Sequence, residues 1–212
     1  MRLHSYWRST AAYRVRIGLN LKGLAYEQVT HDLRIGAHST DTYASINPQK
    51  LIPALEADGA VLTQSLAILE WLEETHPDPP LLPGAPAERA VVRAMAATIA
   101  ADVHPLNNLR VLAELRGRFG ADETQVSGWI AHWIDAGFTA LETMIGRHGG
   151  RFAFGDTPSL ADCCLVPQVF SAERFGVDLT PYPRLVAAAD QAKALDAFAA
   201  AHPLRQPDAD PA

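Results

Sequence analysis

The chain has 212 residues, 48% hydrophobic and 20% charged, a composition typical of globular proteins and long enough to bury a core without disulfide or metal staples. Its formal net charge of −6, with no long cationic run, argues against nucleic acid or an anionic membrane as the main partner. Its only cysteines, Cys163 and Cys164, are adjacent, a spacing that strains any bridge between them.

No apolar stretch reaches the length of a membrane span, and the opening MRLHSYWRST carries no signal-peptide apolar core. A soluble protein in a reducing, cytoplasmic setting is expected.

Residues 1–7 read as a short strand. Over residues 10–22, Tyr13, Ile17 and Leu21 fall at helical spacing, Val15 and Leu19 add a second line, and Gly23 suits a C-terminal cap. AYEQVTHDL alternates like a second strand, and TDTYASIN predicts a short helix. PALEADGAVLTQ predicts two strands around an Asp58-Gly59 hairpin turn. SLAILEWLEETHP predicts a helix that starts at Ser65 and ends before Pro77. The order β-α-β-α-β-β-α implies one compact α/β sheet domain.

HPDPPLLPGAPAE is dense in proline and glycine and reads as a linker, which places one domain at 1–83 and a second, all-helical one at 88–212. The helical part starts with one long segment interrupted near Pro105. SLADCCLVPQVFSAERF follows later, with Ser159 and Asp162 as a capping pair. The tail RQPDADPA reads as loose.

Three junctions in the first domain offer hydrogen-bond donors. Arg8, Ser9 and Thr10 stand where the first helix begins. Ile52-Pro53 precedes a strand and, if cis, turns the Ile52 backbone outward as an edge that could pair with an extended peptide. Gln64 and Ser65 sit at a strand-to-helix junction whose free N–H groups suit a carboxylate. Taken singly, each has an ordinary structural reading: a helix cap, a turn proline, a serine N-cap. Together they suggest one end of the sheet built for an anionic, peptide-like ligand.

Residues 6–23, the loop NPQKLIPAL, the run LTQSLAILEWLEE and the segment ERFGVDLTPYP together resemble the zeta-class glutathione transferases, over nearly the whole chain. The resemblance implies a thioredoxin-like N-terminal domain, an all-helical C-terminal domain, bound glutathione and a homodimer. It implies that Ile52 offers its backbone to the cysteinyl part of glutathione and that Gln64 and Ser65 hold the γ-glutamyl carboxylate. His38 and Gln49 lie in loops that could reach the glycyl end, and His38 matches the family's contact position better. In the helical domain His104, Asn108 and Asp102 match positions that approach glutathione, Asp102 across a subunit boundary.

The activity implied is cis–trans isomerisation of a small dicarboxylate keto acid: maleylpyruvate to fumarylpyruvate, or maleylacetoacetate to fumarylacetoacetate. Family members commonly carry Ser-Ser-Cys where this chain has Ser9-Thr10-Ala11, so the sulfur is expected from glutathione. Ser9 and Thr10 would hold its thiol ionised. Arg8, Arg110 and Arg174 would receive the substrate's carboxylates, because a guanidinium fork fits them and an overall negative chain cannot attract them. The family often has a small polar residue at the position of Arg110, and the arginine leans towards maleylpyruvate. Two other readings share these residues: a transferase or dehalogenase acting on small α-halo acids, and a non-catalytic binding protein of the same fold. With no HExxH or CxxC spacing, the remaining histidines read as scattered and the cysteines as core.

Overall fold

A computed structural model of the chain describes residues 1–210, and every count below refers to those residues. In chain order the elements are β1 (Arg2–Ser5), α1 (Thr10–Leu21), β2 (Glu27–Thr30), two single 3-10 turns (Leu33–Ile35 and Ala37–Ser39), α2 (Asp41–Ile46), β3 (Ala54–Ala57), β4 (Ala60–Thr63) and α3 (Ser65–Thr75). Then come α4 (Pro86–Ala97), a π-helical stretch (Thr98–Val103), a 3-10 turn (Pro105–Asn107), α5 (Leu109–Phe119), α6 (Glu123–His148), α7 (Leu160–Arg174), α8 (Pro183–Lys193), α9 (Asp196–Ala201) and a last 3-10 turn (Pro203–Arg205). The predicted element order holds throughout. The interruption expected near Pro105 is present: the helix that starts at Pro86 widens into π geometry at Thr98–Val103 before Pro105, which cannot donate to a helical ladder.

The chain forms two compact units. The second is Leu82–Lys193. The first is Met1–Leu81 together with the segment from Ala194 onward, which the sequence reading had placed with the helical domain at 88–212. The reason lies in α1. Arg16 Nε donates to the Ala201 carbonyl at 3.1 Å, Asn20 Nδ2 donates to Ala197 O at 2.9 Å, and the buried Phe198 and Ala201 give α9 an apolar face. The tail expected to be loose is held too: Gln206 is buried, and Gln28 Nε2 donates to its Oε1 at 2.8 Å.

In the first unit the sheet order is β2-β1-β3-β4, with β1 parallel to β2 and antiparallel to β3, and β3 antiparallel to β4 across the Asp58-Gly59 turn. Asp58 and Gly59 both have positive φ, as a tight two-residue hairpin requires. α1 packs against both α3 and α9 and is buried on almost every face. Its two interior arginines, Arg14 and Arg16, are 1% and 0% exposed.

Gly18 lets α1 approach α3: a Cβ there would stand 2.3 Å from Leu69 Cδ2, and Leu69 and Leu72 are both fully buried. Gly18→Ala is expected to cost about 1–3 kcal/mol through overpacking, seen as a lower denaturant midpoint with an unchanged m-value.

The second unit is helical. α6 carries its core stripe on Val126, Ile130, Ile134, Phe138, Leu141 and Ile145 and starts with a capping box between Asp122 and Gln125. α7 starts with the expected box: the Asp162 carboxylate accepts from Ser159 N at 2.8 Å and Ser159 Oγ at 2.9 Å, and its other oxygen accepts from Ala153 N. Cys163 and Cys164 form no disulfide and are wholly buried in α7. No described helix is long and apolar enough to cross a membrane.

Candidate active site

Strand register decides which loops meet. Ser5, the last residue of β1, lies opposite Thr30, the last of β2; His4 lies opposite Ala54, the first of β3; Ala54 lies opposite Thr63, the last of β4. Four segments therefore leave the sheet at one end: residues 6–9 before α1, residues 31–39, the Ile52-Pro53 bond, and Gln64 before α3. The three donor-bearing junctions read from the sequence belong to a single edge.

Buried contacts draw these junctions together. Ser9 caps α1, its Oγ accepting from Ala12 N at 3.2 Å, which leaves its own O–H to donate. Thr10 is the first helical residue and is 7% exposed. Two residues on, Ala12 packs with Tyr43 and Ile52. Arg14 Nη1, a further half-turn along, donates to Ser65 Oγ at 3.2 Å, tying α1 to the start of α3. Ser65 begins α3, and the cap position is taken by Gln64, whose φ of 69° and ψ of 117° form a costly backbone conformation for a residue with a Cβ. Its side chain reaches across to Gln49, Nε2 donating to Oε1 at 2.7 Å.

The Ile52-Pro53 bond is cis. Tyr43 Oη and Asn47 Nδ2 each donate to the Leu51 carbonyl at 2.7 Å, which pins the loop just before Ile52. The Ile52 backbone groups find no partner among the described residues.

His38 stands in the second 3-10 turn. Its Nδ1 is buried without a hydrogen bond, and burial holds its pKa below the usual histidine value. Arg8 is half-buried with its guanidinium 5.4 Å from the Trp7 ring centre, and it makes no ion pair among the described residues. This edge thus offers a free amide edge at Ile52, the N-termini of two helices longer than ten residues, an unpaired imidazole nitrogen and a cation. That set fits an extended peptide that carries carboxylates.

In the second unit, Asp102 is exposed in the π-helical stretch and His104 is half-buried at its end. Asn108 caps α5, Oδ1 accepting from Arg110 N at 3.2 Å, so one of its polar atoms already serves the helix. Arg110 is exposed in the first turn of α5. Arg174 ends α7 with its guanidinium 4.4 Å from the Phe175 ring centre.

Sequence reasoning missed three things at the sheet edge. Arg14 and Arg16 stand among apolar residues in the sequence and give no sign that both are buried. Asp208, in the tail, accepts from Trp7 N at 2.9 Å, a contact across 201 positions. His4 and His31, read as scattered, meet: His4 Nδ1 is 2.9 Å from His31 Nε2, and His4 Nε2 is 2.7 Å from Glu56 Oε1. No local pattern signals that contact, since His4 lies within β1 and His31 directly follows the last residue of β2.

The Tyr43 ring packs on both imidazoles, and burial, then His4 and His38, hold His31 below the ordinary histidine pKa. Neutral His31 therefore contributes stability that is present above its ordinary pKa and is lost as pH falls through the depressed one. Asp162, raised to about 6 by burial, contributes with the opposite sign, and comparison with a variant cancels it. Denaturant midpoints taken between about pH 7.5 and about pH 5 should fall less steeply for His31→Gln than for the parent.

Comparison with known proteins follows this geometry. The family description "Glutathione S-transferase, N-terminal domain" matches residues 3–80, and "Glutathione S-transferase, C-terminal domain" matches residues 123–201. A maleylpyruvate isomerase from a Ralstonia species is 50% identical over 98% of this chain and 99% of that protein. Among solved structures, the holo form of a zeta-class bacterial maleylpyruvate isomerase superposes with a TM-score of 0.97 at 50% identity, over 99% of this chain and all of that one. A maleylacetoacetate isomerase from Methylobacterium extorquens AM1, with bound malonate and glutathione, superposes at 0.95 with 43% identity, over 99% of this chain and all of that one. With both domains of the family matched and full-length likeness at half identity, the chain belongs to the glutathione S-transferases, in their zeta class.

Proposed function

We propose that the sheet edge binds glutathione and that the chain uses it as the cofactor for cis–trans isomerisation of a maleylpyruvate-like dicarboxylate. The observation that carries this reading is the meeting of three junctions: the Ser9 start of α1, the unpartnered Ile52 backbone and the strained Gln64-Ser65 start of α3. Full-length relatives named for this isomerisation support it, as does a relative holding glutathione together with a dicarboxylate.

On this reading Ile52 pairs with the cysteinyl backbone, as an added strand would. The α3 N-terminus, with Gln64 and Ser65, receives the γ-glutamyl carboxylate, and Arg14 fixes the Ser65 hydroxyl that does so. His38 serves the glycyl end. His104, Asn108 and Asp102 are assigned glutathione contacts in the second unit, Asp102 from the partner of a homodimer.

When bound, glutathione supplies a sulfur nucleophile that converts the cis carbon–carbon double bond transiently into a rotatable single bond and is returned unchanged. The chain's own part is electrostatic. Ser9 O–H, Thr10 and the positive end of α1 favour sulfur's ionised form, since a charged acceptor roughly doubles the strength of a hydrogen bond. Arg8 holds a substrate carboxylate beside that sulfur and offsets the negative charge that develops on the neighbouring keto oxygen. Arg110 and Arg174 are assigned to the substrate's other carboxylate, and Arg110 favours maleylpyruvate over maleylacetoacetate. A cytoplasmic enzyme is expected, where glutathione is reduced.

The test follows the absorbance of maleylpyruvate and of maleylacetoacetate with and without glutathione. The proposal requires turnover that depends on glutathione but leaves its concentration unchanged. Stoichiometric glutathione loss with halide release from α-halo acids, and no isomerisation, would replace it with the dehalogenase reading. Failure to bind glutathione would leave only a non-catalytic binding protein.

A further inference from the structure

The turn that carries Arg8 and Ser9 is held from two sides by groups with no place in the chemistry above. Arg16, fully buried two turns into α1, donates from Nη2 to the Trp7 carbonyl at 3.0 Å, and from Nη1 to the Tyr6 carbonyl at 3.4 Å and Ser5 Oγ at 3.0 Å. Ser9 N donates to the same Tyr6 carbonyl at 3.0 Å. The next amide, Trp7 N–H, is taken by Asp208 Oδ2 at 2.9 Å.

Asp208 lies in a segment that is itself secured. Arg16 Nε donates to Ala201 O, Gln206 Nε2 donates to Ala200 O and His202 O, and Asp210 pairs with Arg34 at 2.9 Å. Both peptide groups preceding Arg8 are therefore clamped, one face by the helix that follows and the other by the tail. The second Asp208 oxygen, Oδ1, is buried with no hydrogen bond. Its charge favours the buried Arg16 guanidinium, but a carboxylate with one buried oxygen unsatisfied is a costly way to hold a tail, which points to a role at the turn it touches.

We propose that Asp208 is a positioning residue for the turn Trp7-Arg8-Ser9: by fixing the Trp7 amide it aims the Ser9 hydroxyl and the Arg8 guanidinium at the sulfur and the substrate. The inference rests on the glutathione-dependent reading. It makes the C-terminal segment part of the apparatus that sets the acidity of the bound thiol, because a donor displaced by a fraction of an ångström loses much of its grip on a thiolate.

The test measures the pKa of enzyme-bound glutathione from the ultraviolet absorbance of its thiolate, together with kcat and KM, in the parent, Asp208→Ala and Asp208→Glu. Asp208→Ala removes the acceptor; Asp208→Glu keeps the charge and displaces it by one methylene. The expected result is a bound-thiol pKa raised by about half a unit to one unit and kcat lowered about 3- to 10-fold in both variants, with KM for glutathione within about twofold. Asp208→Asn, which keeps an acceptor oxygen in place, should restore most of the parent's values. A merely structural role would lower the melting temperature and leave the thiol pKa and kcat of the folded protein unmoved, and that outcome overturns the proposal. If Asp208→Ala does not fold, Asp208→Glu decides alone by the same criteria. A parent that binds no glutathione overturns this inference together with the functional reading; a parent with a depressed thiol pKa and unaffected variants overturns this inference only.

Discussion

Replacing Ser9 and Thr10 together by alanine is expected to lower kcat/KM by about 100-fold or more, with the pKa of bound glutathione raised by roughly one to two units. Each charge-assisted hydrogen bond to the thiolate contributes about 1.5–3 kcal/mol, and each 1.4 kcal/mol is a factor of ten in rate. The loss should shrink as pH rises, because at high pH the thiol ionises without help; a plot of log kcat/KM against pH would show the variant converging on the parent. A pH-independent deficit would mean that the hydroxyls do something other than hold charge. Ser9 also caps α1, so the double variant should lose about 1 kcal/mol of stability, which a thermal melt will separate from the catalytic effect.

The largest stability effect is expected at Lys22. Its side chain is wholly buried, Nζ donating to Glu73 Oε2 and to Pro79 O, each at 2.7 Å, and Glu73 is 7% exposed. The same Glu73 oxygen accepts from Leu81 N at 2.7 Å. Lys22→Met removes the cation 2.7 Å from the buried Glu73 carboxylate and should cost about 3–5 kcal/mol, a fall of roughly 6–20 °C in melting temperature for a chain of this size. Adding Glu73→Leu should recover part of that loss. The recovery stays incomplete because Leu81 N and Pro79 O then lack partners. If the double variant is less stable than Lys22→Met alone, the pair is not coupled in this way.

Much of the architecture was legible because its signals are local. Asp58-Gly59 announced a hairpin, Ser159 and Asp162 a capping box, and the spacing in residues 65–75 a helix. The three donor-bearing junctions were legible as residue types, and only the strand register could show that they share one end of the sheet. What escaped was long-range. An arginine on a short helix reads as a solvated face, and nothing near Arg16 says that its partners are carbonyls at residues 6, 7 and 201. His4 and His31 touch only because β1 and β2 run parallel. The proline-rich tail has the composition of a loose end, and it is retained by single hydrogen bonds from Trp7, Gln28 and Arg34, none of which leaves a pattern in the tail itself.

The concealment of Cys163 and Cys164 inside α7 has a practical outcome. With alanine at residue 11 and both native sulfhydryls out of reach, an aromatic disulfide or maleimide reagent added to the folded protein should find nothing to react with until the tripeptide is loaded. Once unbound glutathione has been removed, label uptake then reports the loaded sulfur, without the cysteine-free mutant such titrations ordinarily demand.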